Sequence, residues 1–222
     1  MKAVTVSFDR GRNNMFKDLL KAFTNSWRMN AYIHLEIHYT KPPRQQARSY
    51  TFDANHFKLA RWIDSIERDT ILVDSDMICQ KDISHGFDLV DHIGVCQRRG
   101  PMPYNGGVIF VKNTRKAREF MNKWLEIDAK MLADPAFHKP WHQKYAGMNQ
   151  SSFGYLLENG YQDYVTVMPE EFNHCEPWDN WEKANMIHMK GKLRHCLYTT
   201  HPPEHLAPIV ALWRKYKNMT LS

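Results

Sequence analysis

Hydrophobic and polar positions along the chain recur with two periods, and the changes between them mark its first elements. Ala3-Val4-Thr5-Val6-Ser7-Phe8 is short and β-branched, as a strand requires. Met15, Phe16, Leu19, Leu20, Phe23 and Trp27 then recur at three- and four-residue steps and define one face of a helix. Ile33, Leu35, Ile37 and Tyr39 alternate with His34, Glu36 and His38, which predicts a strand with an apolar and a polar side and puts His34 and His38 at the surface. After a turn around Pro42-Pro43, a helix from about Asp53 to Glu67 delivers the chain into the apolar run Thr70-Ile71-Leu72-Val73. Strand and helix alternate, so the pattern predicts an α/β fold with a central, mostly parallel sheet flanked by helices.

The second half is less regular. His92-Ile93-Gly94-Val95-Cys96 and Val108-Ile109-Phe110-Val111 read as strands. A helix from Thr114 to about Met131 buries Ala117, Phe120, Met121, Trp124 and Leu125 and turns Arg115, Lys116, Arg118 and Lys123 to solvent. Ala133 to Met148 holds Pro135, Pro140 and Gly147 and reads as a long functional loop, in which Trp141, His142, Lys144 and Tyr145 either pack or bind an acceptor. A helix from Asn149 to Glu158 stops at Gly160, Tyr164 to Met168 forms a strand, and Ile209, Leu212, Trp213 and Tyr216 mark a closing helix.

Composition narrows the classes. A chain of 222 residues buries a proper core and suits one domain. Its net charge of +6 and pI near 9.1 favour acidic partners such as nucleotides, nucleic acids or anionic polymers. Cys79, Cys96, Cys175 and Cys196 lack the spacing of a zinc ribbon or a disulfide framework, and reduced thiols point to the cytoplasm. The pairs His174-Cys175 and His195-Cys196 raise a zinc site, although adjacent side chains diverge. No run approaches the roughly 20 apolar residues of a membrane span, and the start lacks the apolar core of a signal peptide.

The chemistry concentrates where Thr70-Ile71-Leu72-Val73 ends in Asp74-Ser75-Asp76. In an open α/β sheet the carboxyl ends of strands face the ligand crevice, so two carboxylates there meet whatever binds. Their oxygens suit Mg²⁺ or Mn²⁺, ions that keep positions open for phosphates. Aspartates at a strand end also cap turns, so the tripeptide alone leaves both uses open.

Further elements follow in order: Asn105-Gly106-Gly107-Val108, Asn149-Gln150, Met168-Pro169-Glu170-Glu171-Phe172-Asn173 and Ile187-His188-Met189-Lys190-Gly191. Together with Asp74-Ser75-Asp76 the chain resembles the GT-A nucleotide-sugar glycosyltransferases, especially the family 8 type, over almost its entire length. That resemblance implies a retaining transfer from a nucleotide-sugar, with UDP-sugars the expected donors. Asp74, Asp76 and His188 would hold Mn²⁺ or Mg²⁺, and Val6, Ser7, Phe8, Ser75, Gly106, Gly107, Lys190 and Gly191 would contact the donor. Lys190 would also act on the diphosphate, Lys192 being a second candidate, and Asn105, Asn149 and Gln150 would act at the sugar.

Local chemistry leaves other uses open for each. Asn-Gly is a common turn, Asn149 is a good helix cap, His188 can be an ordinary buried histidine, and Asp9 and Arg12 can be loop charges. Asn149 stands where the family commonly has Asp, which removes a charged sugar contact. An inverting enzyme needs a base, for which Glu170 and Glu171 are the candidates. The acceptor is expected to be a saccharide, a lipid-linked glycan or modified DNA, the last as in phage-type base-modifying enzymes. A non-catalytic nucleotide or nucleic-acid binding module is the remaining alternative.

Overall fold

Five of the six strands of the central sheet run parallel, and the one reversed strand lies beside the candidate aspartates. The computed structural model describes residues 1–8, 14–41, 50–97 and 104–220; Asp9, Arg12 and the Pro42-Pro43 turn lie outside them. The chain opens with β1 (Lys2–Phe8), α1 (Met15–Asn30), β2 (Leu35–Thr40), α2 (Tyr50–Asp64) and β3 (Thr70–Val73), followed by the short β4 (Met77–Cys79). Next come β5 (Ile93–Gln97), β6 (Tyr104–Val111), α3 (Arg115–Ala133), α4 (Pro135–Tyr145), α5 (Asn149–Leu156) and β7 (Val165–Met168). β8 (Met186–His188), α6 (Gly191–Cys196) and α7 (Ala207–Asn218) complete it. The sheet order is β2-β1-β3-β6-β5-β7, with β6 antiparallel to both neighbours.

Strand alternation divides the core. Val4, Val6, Leu72, Ile109 and Val111 meet α2, α3 and α5, whereas Ala3, Ile71, Val73, Val108 and Phe110 pack with Phe23 and Trp27 of α1. Each Val, Leu, Ile or Phe so buried contributes roughly 1.5–3 kcal/mol. A third cluster joins α1 to α7 and β8 through Leu19, Ile187, Ile209 and Trp213.

Two expectations are corrected. Residues 133–148 are not a loop: Asp134 caps α4 by accepting from the N–H groups of Ala136 and Phe137 at 2.9 and 3.1 Å, and Pro135 sits in the first turn, where no donor is needed. Phe137 and Trp141 pack on Tyr155, and Trp141 lies parallel to Tyr145, so the helical spacing of these rings outweighs Pro140. β2 also differs. As an edge strand it leaves Ile37 and Tyr39 38% and 47% exposed, whereas His38 is half-buried against Glu36 at 2.7 Å and Ser65 at 3.2 Å. A hydrogen bond from Lys2 holds the Glu36 carboxyl below the usual carboxylate range. His34 is exposed, as its pattern predicts.

Candidate active site

The site forms because two three-residue strands bring distant parts of the chain together. β3 ends at Val73, and Asp74-Ser75-Asp76 turns the chain into β4, whose register with β8 sets Met77 opposite His188. The Asp74 N–H donates to the Gly107 carbonyl at 2.9 Å, and the Met189 N–H to the Asp76 carbonyl at 2.7 Å. His188 Nε2 thereby comes within 3.4 Å of Asp76 Oδ1 and 3.7 Å of Asp74 Oδ2. These three residues are the one metal-competent cluster among the described residues, with ligand atoms all within 4.8 Å of one another.

The imidazole is oriented for ligation. Asn173 donates through Nδ2 to the Asn105 carbonyl at 2.9 Å, which turns its Oδ1 toward His188 Nδ1 at 3.2 Å. With Nδ1 donating to Asn173, Nε2 is the nitrogen that could ligate a metal held together with the aspartates. Gly107 makes room for the ring, since a Cβ there would stand 2.4 Å from Nδ1. At Gly106 a Cβ would meet only Ile109 Cδ1, at 3.9 Å.

Electrostatics favour the binding forms of His188 and Asp76. Burial lowers the His188 pKa and outweighs the pull of Asp76 and Asp74, so the neutral ring is favoured. Burial acts to raise Asp76, but His188, Arg194 and Lys58 overcome it and hold the carboxyl well below the usual range. Asp74 accepts from Lys58 Nζ at 2.6 Å, and Asp76 accepts from Arg194. Two carboxylates and a neutral imidazole form a donor set that fits Mn²⁺ or Mg²⁺.

From this cluster a cleft of about 240 Å³ runs toward α2 and α5. Asn105, Gly106, Gly107, Asn149, Gln150 and Lys190 line it beside the three ligands, as do Lys58 and Arg194. Inside the protein, Asn149 donates to the Asn55 carbonyl at 3.1 Å and Gln150 to the Tyr104 carbonyl at 2.9 Å. An ionised Asp at position 149 could not make the first bond, which gives the amide a structural reason. Asn105 Oδ1 accepts from the Gly107 N–H at 3.3 Å. Rather than entering a strand from a turn, Asn105-Gly106-Gly107 lies within β6, where the register with β5 slips between Val95 and Cys96.

Val6, Ser7, Phe8, Ser75 and Gly191 are not among the lining residues. Val6 and Ser7 are buried, Phe8 packs with Phe57, and Gly191 takes the left-handed φ of 57° that opens α6. Glu170, Glu171 and Lys192 also lie outside the lining, Lys192 reaching Glu176 at 4.0 Å. His174 and Cys175 are buried while His195 is exposed, so the two pairs form no cluster with the geometry of a metal site. Lys58 and Arg194 carry no motif in the sequence, and Asn173, which ends the Met168–Asn173 element, has no role assigned by it. Lys58 resembles any helix lysine; its signal is Trp62 one turn on, over whose ring Nζ lies 4.4 Å from the centroid.

No family model matches the chain, and no curated protein matches it in sequence. Solved structures do share its fold. The glycosyltransferase GlyE of Streptococcus pneumoniae TIGR4 superposes with a TM-score of 0.67 at 14% identity, over 99% of this chain and 60% of that one. A glycosyltransferase involved in glycosylation of the major capsid of PBCV-1 gives 0.60 at 14% identity, over 88% of this chain and 96% of that one. Mouse xyloside xylosyltransferase 1 gives 0.55 at 12% identity, over 84% and 96%. The chain therefore has the GT-A fold of glycosyltransferases and spans 60% of the length of GlyE.

Proposed function

We propose that the protein is a metal-dependent glycosyltransferase, of the family 8 type, that moves a sugar from a nucleotide diphosphate donor, a UDP-sugar, with retention of configuration. The observation that carries this reading is the Asp74, Asp76 and His188 cluster at one end of a cleft that also holds Lys58, Lys190 and Arg194. A divalent ion held by the three ligands supplies Lewis-acid charge to the diphosphate. Lys58, Lys190 and Arg194 add positive charge that stabilises the departing diphosphate. Asn173 keeps His188 in the ligating tautomer. Asn55, Asn149 and Gln150 shape the sugar side of the cleft. Among the described residues Asp74 and Asp76 are the only carboxylates lining it, which favours retention, with the departing phosphate taking the acceptor proton on the same face.

Incubating the protein with a panel of nucleotide-sugars and Mn²⁺, and reading slow donor hydrolysis by mass spectrometry, tests this reading. One donor should be cleaved in a Mn²⁺-dependent manner. Binding without cleavage of any donor would instead support a non-catalytic module. Saccharide, lipid-linked glycan and base-modified DNA acceptors can be added to the active donor, and a steep salt dependence marks the DNA case.

A further inference from the structure

We propose that Asp128, buried in α3 outside the cleft, is a positioning residue that fixes the helical wall of the cleft against its metal-binding wall; this rests on the glycosyltransferase reading above. Asp128 has no exposed surface, yet two other helices engage its carboxylate. Oδ2 accepts from His56 Nδ1 of α2 at 2.9 Å, and Oδ1 accepts from the Ser152 hydroxyl of α5 at 2.6 Å. A carboxylate only accepts, so His56 carries its proton on Nδ1 and Ser152 commits its single proton here. One turn earlier on α3, Trp124 donates to Ser152 Oγ at 2.9 Å and to the Asn149 carbonyl at 3.1 Å. The Asn149 amide bond to the Asn55 carbonyl, at 3.1 Å, then joins α5 to α2 and closes a triangle of helices.

The corners of this triangle reach the cleft. α2 contributes Asn55 and Lys58, α5 contributes Asn149 and Gln150, and Lys58 bonds Asp74 directly. Apolar packing between helices tolerates small slides, whereas directed bonds to one shared carboxylate set the spacing of α2 and α5. Displacement of a positioning group by about 1 Å costs on the order of 100-fold in rate. The metal ligands themselves hang on β3, β4 and β8, and Lys58 of α2, bonded to Asp74, is the link between the triangle and that end, so sugar positioning depends on the triangle more than diphosphate binding does.

The experiment compares Asp128→Ala, His56→Ala and Asp128→Asn with the wild type in three measurements: UDP affinity with Mn²⁺, donor hydrolysis, and the Asn149 side-chain amide resonance. Asp128→Ala and His56→Ala should lower kcat about tenfold and UDP affinity by less, no more than about threefold through the Lys58 link, and the amide resonance should move. Asp128→Asn still accepts from Ser152 and pairs with the other His56 tautomer, so it should restore most of kcat and the resonance. Wild-type kcat with an unmoved resonance in either alanine variant overturns the proposal, as does a loss of kcat and UDP affinity in parallel that Asp128→Asn fails to rescue. If Asp128→Ala does not fold, His56→Ala decides, since it removes only the α2 arm. A wild type that cleaves no donor counts against the glycosyltransferase reading, and the amide resonance then decides the positioning claim by itself.

Discussion

Two adjacent glycines separate what the site needs for shape from what it leaves open. Gly107→Ala places a methyl 2.4 Å from His188 Nδ1. The ring must move, so stability should fall by roughly 1–3 kcal/mol and Mn²⁺ affinity should fall with it. Gly106→Ala meets no protein atom closer than 3.9 Å, so thermal stability should shift by less than about 0.5 kcal/mol while the methyl narrows the cleft and lowers donor turnover. Thermal melts beside Mn²⁺ titrations distinguish the pair, and equal behaviour of the two variants would contradict the assigned geometry. Asn173→Ala frees His188 Nδ1 and should weaken Mn²⁺ binding about 10- to 100-fold. An unchanged Mn²⁺ isotherm would mean that the ring is held by other groups.

At the scale of elements, the strands that build the site are the ones hardest to read. β1 and β3 are legible as apolar, β-branched runs and α1 as a sustained helical period, while the alternation of β2 predicts the strand and not its exposed face. β4 and β8 each have three residues, too few for any period, and the pairing of Met77 with His188 joins positions with no local relation. The aspartates, His188 and the element that ends in Asn173 are thus nameable from the chain, whereas Lys58 and Arg194 join them through tertiary contacts alone. α4 was hidden for another reason: Pro135 and Pro140 signal a loop, although Asp134 and the Phe137, Trp141, Tyr145 stripe specify a helix. Asp134→Ala removes the cap and should cost about 1 kcal/mol, read as a lower Tm, with nucleotide binding unaffected. Lys144 pairs with Glu158 at 2.6 Å and Tyr145 bonds the same carboxylate, so α4 is tied into the fold at its exit as well as its start.

Over the whole molecule, the sheet separates two apolar clusters and the reversed β6 carries Gly107 to the carboxyl end of β3. None of the described helices is long and apolar enough to cross a membrane. The surplus of six positive charges in the sequence has a local counterpart, since Lys58 and Arg194 bond Asp74 and Asp76 and Lys190 lines the same cleft. The central claim is that these aspartates and His188 bind a nucleoside diphosphate through a divalent ion. Asp76→Asn tests it most directly, because the change is nearly isosteric and removes only the charge. Calorimetric titration of UDP with Mn²⁺ or with EDTA should show at least about tenfold tighter binding with Mn²⁺ for the wild type and no such gain for the folded variant. Equal Mn²⁺-dependent affinity in the two proteins would contradict the account.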